Sequence, residues 1–302
     1  MREQQSPTNA GRGWQKVRQI VTTIAELRSL RSTYGADDLG LVPTMGYLHA
    51  GHLSLVERSV AENKHTIASI FVNPTQFGPN EDLARYPRDL ERDLALLNPL
   101  GLDCVFAPSP SEIYPTGPAL GTTVTVHGPT ERLEGAARPG HFEGVATVVA
   151  KLFNIICPTR AYFGQKDAQQ VAVITKMVQD LNFAVEMVVC PTVREADGLA
   201  MSSRNVFLTP TDRATARLIS AGLFAAKALW QAGERNADAL EATVARCMRP
   251  GSFVSIDYIA VVDPLTFEPY AGDAPTALIA VAARVGTTRL IDNVLLSCPS
   301  PM

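Results

Sequence analysis

The sequence predicts an α/β protein: a parallel sheet with helices on both faces, followed by a small α+β domain. Three observations lead there. Through the first two-thirds of the chain, short and nearly all-apolar runs alternate with helical patterns. Strands that are apolar throughout, not at every second residue, belong to parallel sheets buried on both sides. The last third changes rhythm, with two helical segments followed by three strand-like runs. The length, 302 residues, suits about two domains of roughly 150 residues each.

Leu39–Pro43 is the first strand. His52–Lys64 follows as a helix with Leu53, Val56 and Val60 along one face. Thr66–Val72 is β-branched and apolar, hence a buried strand. Leu90–Leu97 is a helix, Asp103–Ala107 a strand, and Gly144–Ile156 a helix with Val148, Leu152 and Ile155 aligned. Arg160–Phe163 is a short strand, Ala168–Leu181 a helix and Ala184–Val189 a strand. This is a Rossmann-like alternation, and such sheets bind ligands beyond the carboxyl ends of their strands. In the tail, Thr209 suits an N-cap and Pro210 the first turn of a helix running to about Ala232, before Gly233. Asn236 caps a second helix that ends near Arg249, Pro250 and Gly251. Ser255–Val262, Ala277–Val285 and Thr288–Val294 are the strand-like runs. The domain boundary falls near Pro191–Arg194, which makes 1–15 a leader, 16–192 the sheet domain and 193–302 the small domain.

Composition excludes several classes. With 46% apolar and 19% charged residues the chain is an ordinary globular protein. Its 27 basic and 30 acidic residues give a net charge of −3. A broad nucleic-acid surface would need a basic excess, although a small basic anion pocket remains open. The five cysteines are widely spaced with no CxxC. A disulfide framework or cysteine-rich zinc site is therefore not expected, and free thiols in a reducing cytoplasm are. The best apolar run, Ala274–Ala283, is far short of the roughly 18–20 residues that span a bilayer. Met1–Gly13 is polar and lacks the apolar stretch of a secretory signal.

Five motifs carry chemistry. Pro43 to His52 (PTMGYLHAGH) runs from a strand end into a helix. Gly46 and Gly51 allow close backbone approach. His49 and His52, three apart, can share a face at the helix start. The unpaired N–H groups and dipole there favour an anion, and two imidazoles can donate to phosphate oxygens. A zinc pair would need further ligands, and no nearby Cys or His supplies them. Phe71 to Gly78 (FVNPTQFG) sets Asn73 and Gln76 at the next strand end, suited to a hydroxylated ligand or to a local turn. Arg138 to Gly144 (RPGHFEG) places His141 before a helix, as a ligand contact or as part of the helix-start loop. Tyr162 to Gln170 (YFGQKDAQQ) again joins strand to helix. Gly164 permits close approach, Lys166 offers an ammonium to phosphate, Asp167 can accept from ribose hydroxyls, and Gln170 lies one turn on. Met201 to Asn205 (MSSRN) supplies two hydroxyls and a guanidinium on a junction loop that can close over nucleotide.

Together and in this order, these motifs resemble the pantothenate synthetase (pantoate–β-alanine ligase) family, of the HxGH nucleotidylyl-transfer superfamily related to class I aminoacyl-tRNA synthetases. The likeness spans roughly Leu41 to Leu208. It implies two half-reactions. Pantoate attacks the α-phosphorus of ATP to give pantoyl adenylate and pyrophosphate, and β-alanine then attacks the acyl carbon to give pantothenate and AMP. It implies that Met45, Gly46, Tyr47, Leu48, His49, Ala50, Gly51 and His52 line the ATP phosphates, with His52 as the active-site residue. Gly164, Gln165, Lys166, Asp167 and Val193 correspond to the ribose and adenine contacts. Met201, Ser202, Ser203 and Arg204 take the place of the superfamily's KMSKS loop. That loop's lysines are missing here, so Lys166 carries the charge. Gln76 and Gln170 match the pantoate contacts, Gln76 also lying near β-alanine, and Asn73 joins them. Pantoate's carboxylate is already a nucleophile, so the first step calls for positioning and charge neutralisation rather than a base.

The resemblance further implies a lid role for 193–302, Mg²⁺ accompanying ATP and held mostly by phosphate and water, and a homodimer. Asp93 stands where some relatives carry paired acids, with Arg92 before it here, so no protein ligand for the metal is assigned. Rival readings fit less well. Another adenylyl- or cytidylyltransferase of this fold has no need of Gln76 and Gln170 around an acyl acceptor. A nucleotide-sensing binding protein has no need of His49, His52 and Lys166 together. A tRNA-charging enzyme would need a basic surface and an anticodon domain.

Overall fold

The computed structural model describes residues 17–79, 81–117, 119, 121–249 and 254–297. The leader over 1–15, Cys298 and the Pro250-Gly251 helix end lie outside the described residues. The elements run β1 (Gln19–Val21), α1 (Ile24–Thr33), β2 (Leu39–Thr44), α2 (Ala50–Glu62), β3 (His65–Ile70), α3 (Leu90–Leu97) and β4 (Cys104–Phe106). Then come α4 (Pro110–Ile113), α5 (Glu134–Ala137), α6 (His141–Ile156), β5 (Arg160–Gly164), α7 (Ala168–Asp180) and β6 (Glu186–Cys190). The tail holds α8 (Pro210–Gln231), α9 (Ala237–Met248), β7 (Val254–Val262), β8 (Thr276–Val285) and β9 (Thr288–Ser297).

The first six strands form one sheet in the order β1-β4-β3-β2-β5-β6, every pair parallel. Both faces are covered, as all-apolar strands require. Leu39 and Leu41 of β2, Ile67 of β3 and Phe163 of β5 pack with α1, α6 and α7. Val42, Ala68 and Tyr162 point the other way, to α2 and α3. The β1–α1 unit, unassigned from sequence, adds an edge strand and a helix. Thr23 and Glu26 form a capping box at the start of α1, each side chain accepting from the other's backbone N–H.

The order reverses between β2 and β5. Ligands of open parallel sheets sit where the strand order reverses. The pairing itself opens that crevice. β2 and β3 stay in register over six residue pairs, Leu39↔His65 to Thr44↔Ile70. β2 and β5 pair only at Gly40↔Arg160 and Leu41↔Ala161. Beyond those, the two strands carry the HxGH motif and the Lys166 motif out on either side of the gap.

The tail builds a second core. The antiparallel sheet β7-β8-β9 packs on α8 and α9 around the fully buried Trp230 with Leu223, Val244, Ile279 and Val281. Gly222 lets the two helices cross closely, since a Cβ there would lie 3.0 Å from Val244 Cγ1. Ala168 and Ala172 at the start of α7 meet Val262, Phe267 and Leu278 of the tail. Glu134, buried, accepts both guanidinium nitrogens of Arg289 at 2.6 and 2.8 Å and the Tyr258 hydroxyl at 2.9 Å. The small sheet thus docks beside the carboxyl ends of β2 and β5.

Candidate active site

His49 is the N-cap of α2. Its Nδ1 accepts from the Gly51 N–H at 3.1 Å, and the Nδ1 of His52 accepts from the His49 N–H at 3.4 Å. Each ring therefore carries its proton on Nε2 and keeps that N–H as a donor. The rings stack, centroids 4.0 Å apart. Burial, then the charge of Lys166, pushes His49 down to about 4. Burial, then His49 and Lys166, holds His52 well below the usual imidazole range. Both imidazoles are neutral donors at neutral pH. A Cβ at Gly51 would lie 2.9 Å from the His49 ring and push it aside.

The second motif closes on the first. Gln76, buried, donates from Nε2 to Met45 Sδ at 2.8 Å. Asn73 stands behind it. Its Nδ2 donates to Gln76 Oε1 at 3.2 Å and to the Gly144 carbonyl at 3.0 Å, and its Oδ1 accepts from the Tyr114 hydroxyl at 2.8 Å. The third motif locks the same turn. Arg138 Nη1 lies 3.0 Å from His141 Nε2, and Arg138 can only donate, so His141 Nδ1–H donates to the Gln76 carbonyl at 2.8 Å. Burial and Arg138 push His141 down to about 4. Arg138 also grips Glu81 at 2.9 and 2.6 Å.

The fourth motif is held by the small sheet. Asn293 of β9 donates to the Gln165 and Lys166 carbonyls at 3.0 and 2.8 Å and accepts from Gln165 Nε2 at 3.2 Å. Lys166 Nζ lies 3.7 Å from Asp167 Oδ1, and its charge acts on both histidines. Lys166, Asp167 and Gln170 share a small cavity with His141 and Asn293. A larger cleft of about 580 Å³ opens beside it, its lining including Lys166, Asp167, Ser202, Arg204, Arg289 and Asp292. The fifth motif reaches the first, Met201 Cβ coming within 3.8 Å of where a Gly51 Cβ would lie.

Over residues 19–295 the chain matches the family model described as pantoate-beta-alanine ligase. The chain belongs to that ligase family. It is 57% identical over 277 residues to the pantothenate synthetase of Roseiflexus sp. (strain RS-1), covering 92% of this chain and 99% of the relative. A pantothenate synthetase structure from Thermus thermophilus superposes with a TM-score of 0.87 at 48% identity, covering 92% of this chain and 99% of that one. A pantoate-beta-alanine ligase from Francisella tularensis, complexed with beta-gamma ATP and beta-alanine, gives 0.74 at 36% identity, covering 91% and 97%.

Around the five motifs this ligase adds supports that the sequence reading did not find. The fork of Arg204 lies on the Asp82 carboxylate, with Nε and Nη2 each 2.9 Å from an oxygen. Tyr86 is 3.4 Å from the Ser203 hydroxyl. Asp93, 1% exposed, accepts from the backbone N–H groups of Tyr47 and Leu48 at 2.7 Å each. Burial raises its pKa, against the pull of those two amides and Arg92. Asp292 holds Arg194 bidentately at 2.6 and 2.9 Å, fixing the start of the junction loop to β9. Among the described residues no helix is long and apolar enough to cross a membrane, and no group of three His, Cys, Asp or Glu side chains forms a metal cage.

Proposed function

We infer that this ligase activates pantoate with ATP and couples it to β-alanine, in the crevice between β2 and β5. The observation that carries the reading is the convergence there of two neutral imidazoles and an ammonium beside a buried glutamine. The Nε2–H groups of His49 and His52 and the Lys166 ammonium meet the phosphates of ATP. They stabilise charge on the departing pyrophosphate, as preorganised donors do in phosphoryl transfer. Met45 to His52 line the phosphates, Gly164 to Asp167 and Val193 take ribose and adenine, and Met201, Ser202, Ser203 and Arg204 close over the phosphates. Gln76 and Gln170 hydrogen-bond pantoate without repelling its carboxylate. Asn73, its bonds already made inside the protein, acts by holding Gln76.

Pantoate's carboxylate oxygen attacks the α-phosphorus and pyrophosphate leaves. The amine of β-alanine then adds to the acyl carbon, loses its proton and expels AMP. Residues 16–192 form the catalytic domain and 193–302 the lid whose closure keeps water from the acyl phosphate. Mg²⁺ accompanies ATP, held mostly by the phosphates and water. The described cysteines, Cys104, Cys157, Cys190 and Cys247, are free thiols, as suits a cytoplasmic enzyme, and we take the working unit to be a homodimer.

The test is a product assay with Mg²⁺ and ATP, adding pantoate alone and then pantoate with β-alanine. AMP and pantothenate forming only with both substrates is the expected result. Pyrophosphate turnover with no amide product overturns it.

A further inference from the structure

We propose that Asp93 is the positioning residue of the HxGH loop: its buried carboxylate sets the turn that aims His49 and His52, and it is not a metal ligand. The inference rests on the reading that these histidines meet the phosphates.

The turn from β2 into α2 is conformationally costly. Gly46 has φ +80° and Tyr47 φ +49°, left-handed backbone that a tyrosine rarely adopts without support. Successive amides in such a turn converge into a concavity that attracts an anion. The chain supplies that anion itself. Asp93, one helical turn before Leu97 on the buried face of α3, accepts from the Tyr47 and Leu48 amides at 2.7 Å, one on each oxygen. The fit is close, since a Cβ on Gly46 would lie 3.0 Å from Asp93 Oδ2. Arg92 balances the charge, with Nη1 3.3 Å from Asp93 Oδ1 and its guanidinium 4.6 Å from the centre of the Tyr47 ring. The residue after this anchored pair is His49, the N-cap whose backbone N–H reaches His52. A shift of the anchor is therefore passed directly to both imidazoles. A carboxylate with each oxygen already accepting a backbone N–H, and 1% exposed, is poorly placed to hold a cation.

The first measurement is amide hydrogen exchange on the wild-type enzyme. Tyr47 and Leu48 amides should be protected although they lie in a loop; exchange at loop rates refutes the anchor without any variant. Asp93→Asn keeps the shape but turns one acceptor into a donor facing an N–H. It should lose protection over 45–49 while α2 stays protected. Pyrophosphate release from ATP and pantoate alone should fall about 10–100-fold, the scale of a misplaced catalytic group, while the KM for β-alanine stays within about twofold. Asp93→Glu should recover part of the loss. Arg92→Met, at a side chain 40% exposed, tests the same split should Asp93→Asn not fold, with a smaller fall in adenylation. The Mg²⁺ concentration giving half-maximal rate at fixed ATP should not move in any variant. A shifted Mg²⁺ midpoint makes Asp93 a ligand and overturns the proposal, as does adenylation that survives loss of protection. Failure of the functional reading would look different: the wild-type enzyme itself would release no pyrophosphate from ATP and pantoate.

Discussion

Replacing Asp82 by Asn should tighten ATP binding. Arg204 cannot hold Asp82 and a phosphate with the same two N–H groups. Its Nε and Nη2 are both engaged at 2.9 Å, so a triphosphate that takes the guanidinium by that edge displaces the carboxylate. Burial works against the Asp82 charge, but Arg204 outweighs it and holds the carboxyl below its usual range. The two side chains are 29% and 30% exposed, and a pair that wet contributes at most about 1 kcal/mol. Breaking it for phosphate costs ATP about that much, or roughly fivefold in affinity. Asp82→Asn keeps the shape and removes the competitor. Calorimetric titration with Mg·ATP should give a Kd about three- to fivefold lower, with the difference shrinking as salt screens the pair. In an Arg204→Ala background the same substitution should change nothing, because the two residues act through each other. An unchanged or raised Kd in the Arg204 enzyme would refute the exchange. Asp82 and Arg204 would then be a clasp for the junction loop, and Ser202 and Ser203 would face the phosphates without the guanidinium.

Acid should destabilise the enzyme earlier than its carboxylates explain. His49 and His141 are each pushed down to about 4 by burial, then by Lys166 and Arg138 respectively. Between the unfolded value of 6.5 and that level the unfolded chain binds more protons, so stability falls as pH drops through this window and is flat above it. At pH 5 each histidine costs at most ~2 kcal/mol, and melting at pH 5 should lie several degrees below that at pH 7.5; a flat Tm would refute the burial. His52→Ala should slow pantoyl adenylate formation by about 10²–10³-fold, the scale of removing one preorganised donor, and near-normal single-turnover adenylation would remove it from that role. Gln170→Ala should raise the KM for pantoate more than that for ATP, since a site built for hydroxyls is left unpaired; equal effects would misplace it. Lys166→Met should slow pyrophosphate release while Tm stays put, and a melting shift of several degrees would make the lysine structural.

What was legible in the sequence is what is local. The parallel sheet follows from apolar strands, and α3 runs over Leu90–Leu97 as its periodicity predicts. Helix α6 starts at His141, ahead of the expected Gly144, because Gly140 turns left-handed at φ +81° and begins the helix early. The β1–α1 unit was less visible, since β1 has three residues at a sheet edge, although the Thr23–Glu26 capping box was there to be read. The motifs were legible for the same reason: each is one short run of polar side chains, and three of them sit at the ends of β2, β3 and β5 with glycines of their own. Their supports were not. Asp82 lies 122 residues from Arg204, and Asn293 lies 127 from Lys166. Such pairings leave no period and no spacing in the chain. Asp93 left a faint trace, an acid one turn from a buried leucine, which becomes a signal only once Leu97 is known to face the core.

Asn73 makes the limit concrete. A sequence can say that an amide stands at the carboxyl end of a strand, where ligands bind. Whether its bonds are still available is decided by Tyr114 and Gly144, brought in from 41 and 71 residues away. Those partners take both its oxygen and its nitrogen and turn it toward Gln76. The same logic separates Arg204 from His49. Arg204 already holds a carboxylate by one edge of its guanidinium, so what that edge gives to a phosphate would be a difference between two ion pairs. His49 and His52 have their Nδ1 lone pairs engaged by backbone amides. Their Nε2–H groups have no bond among the described residues to give up, and the site's preorganisation therefore resides in the loop that Asp93 holds.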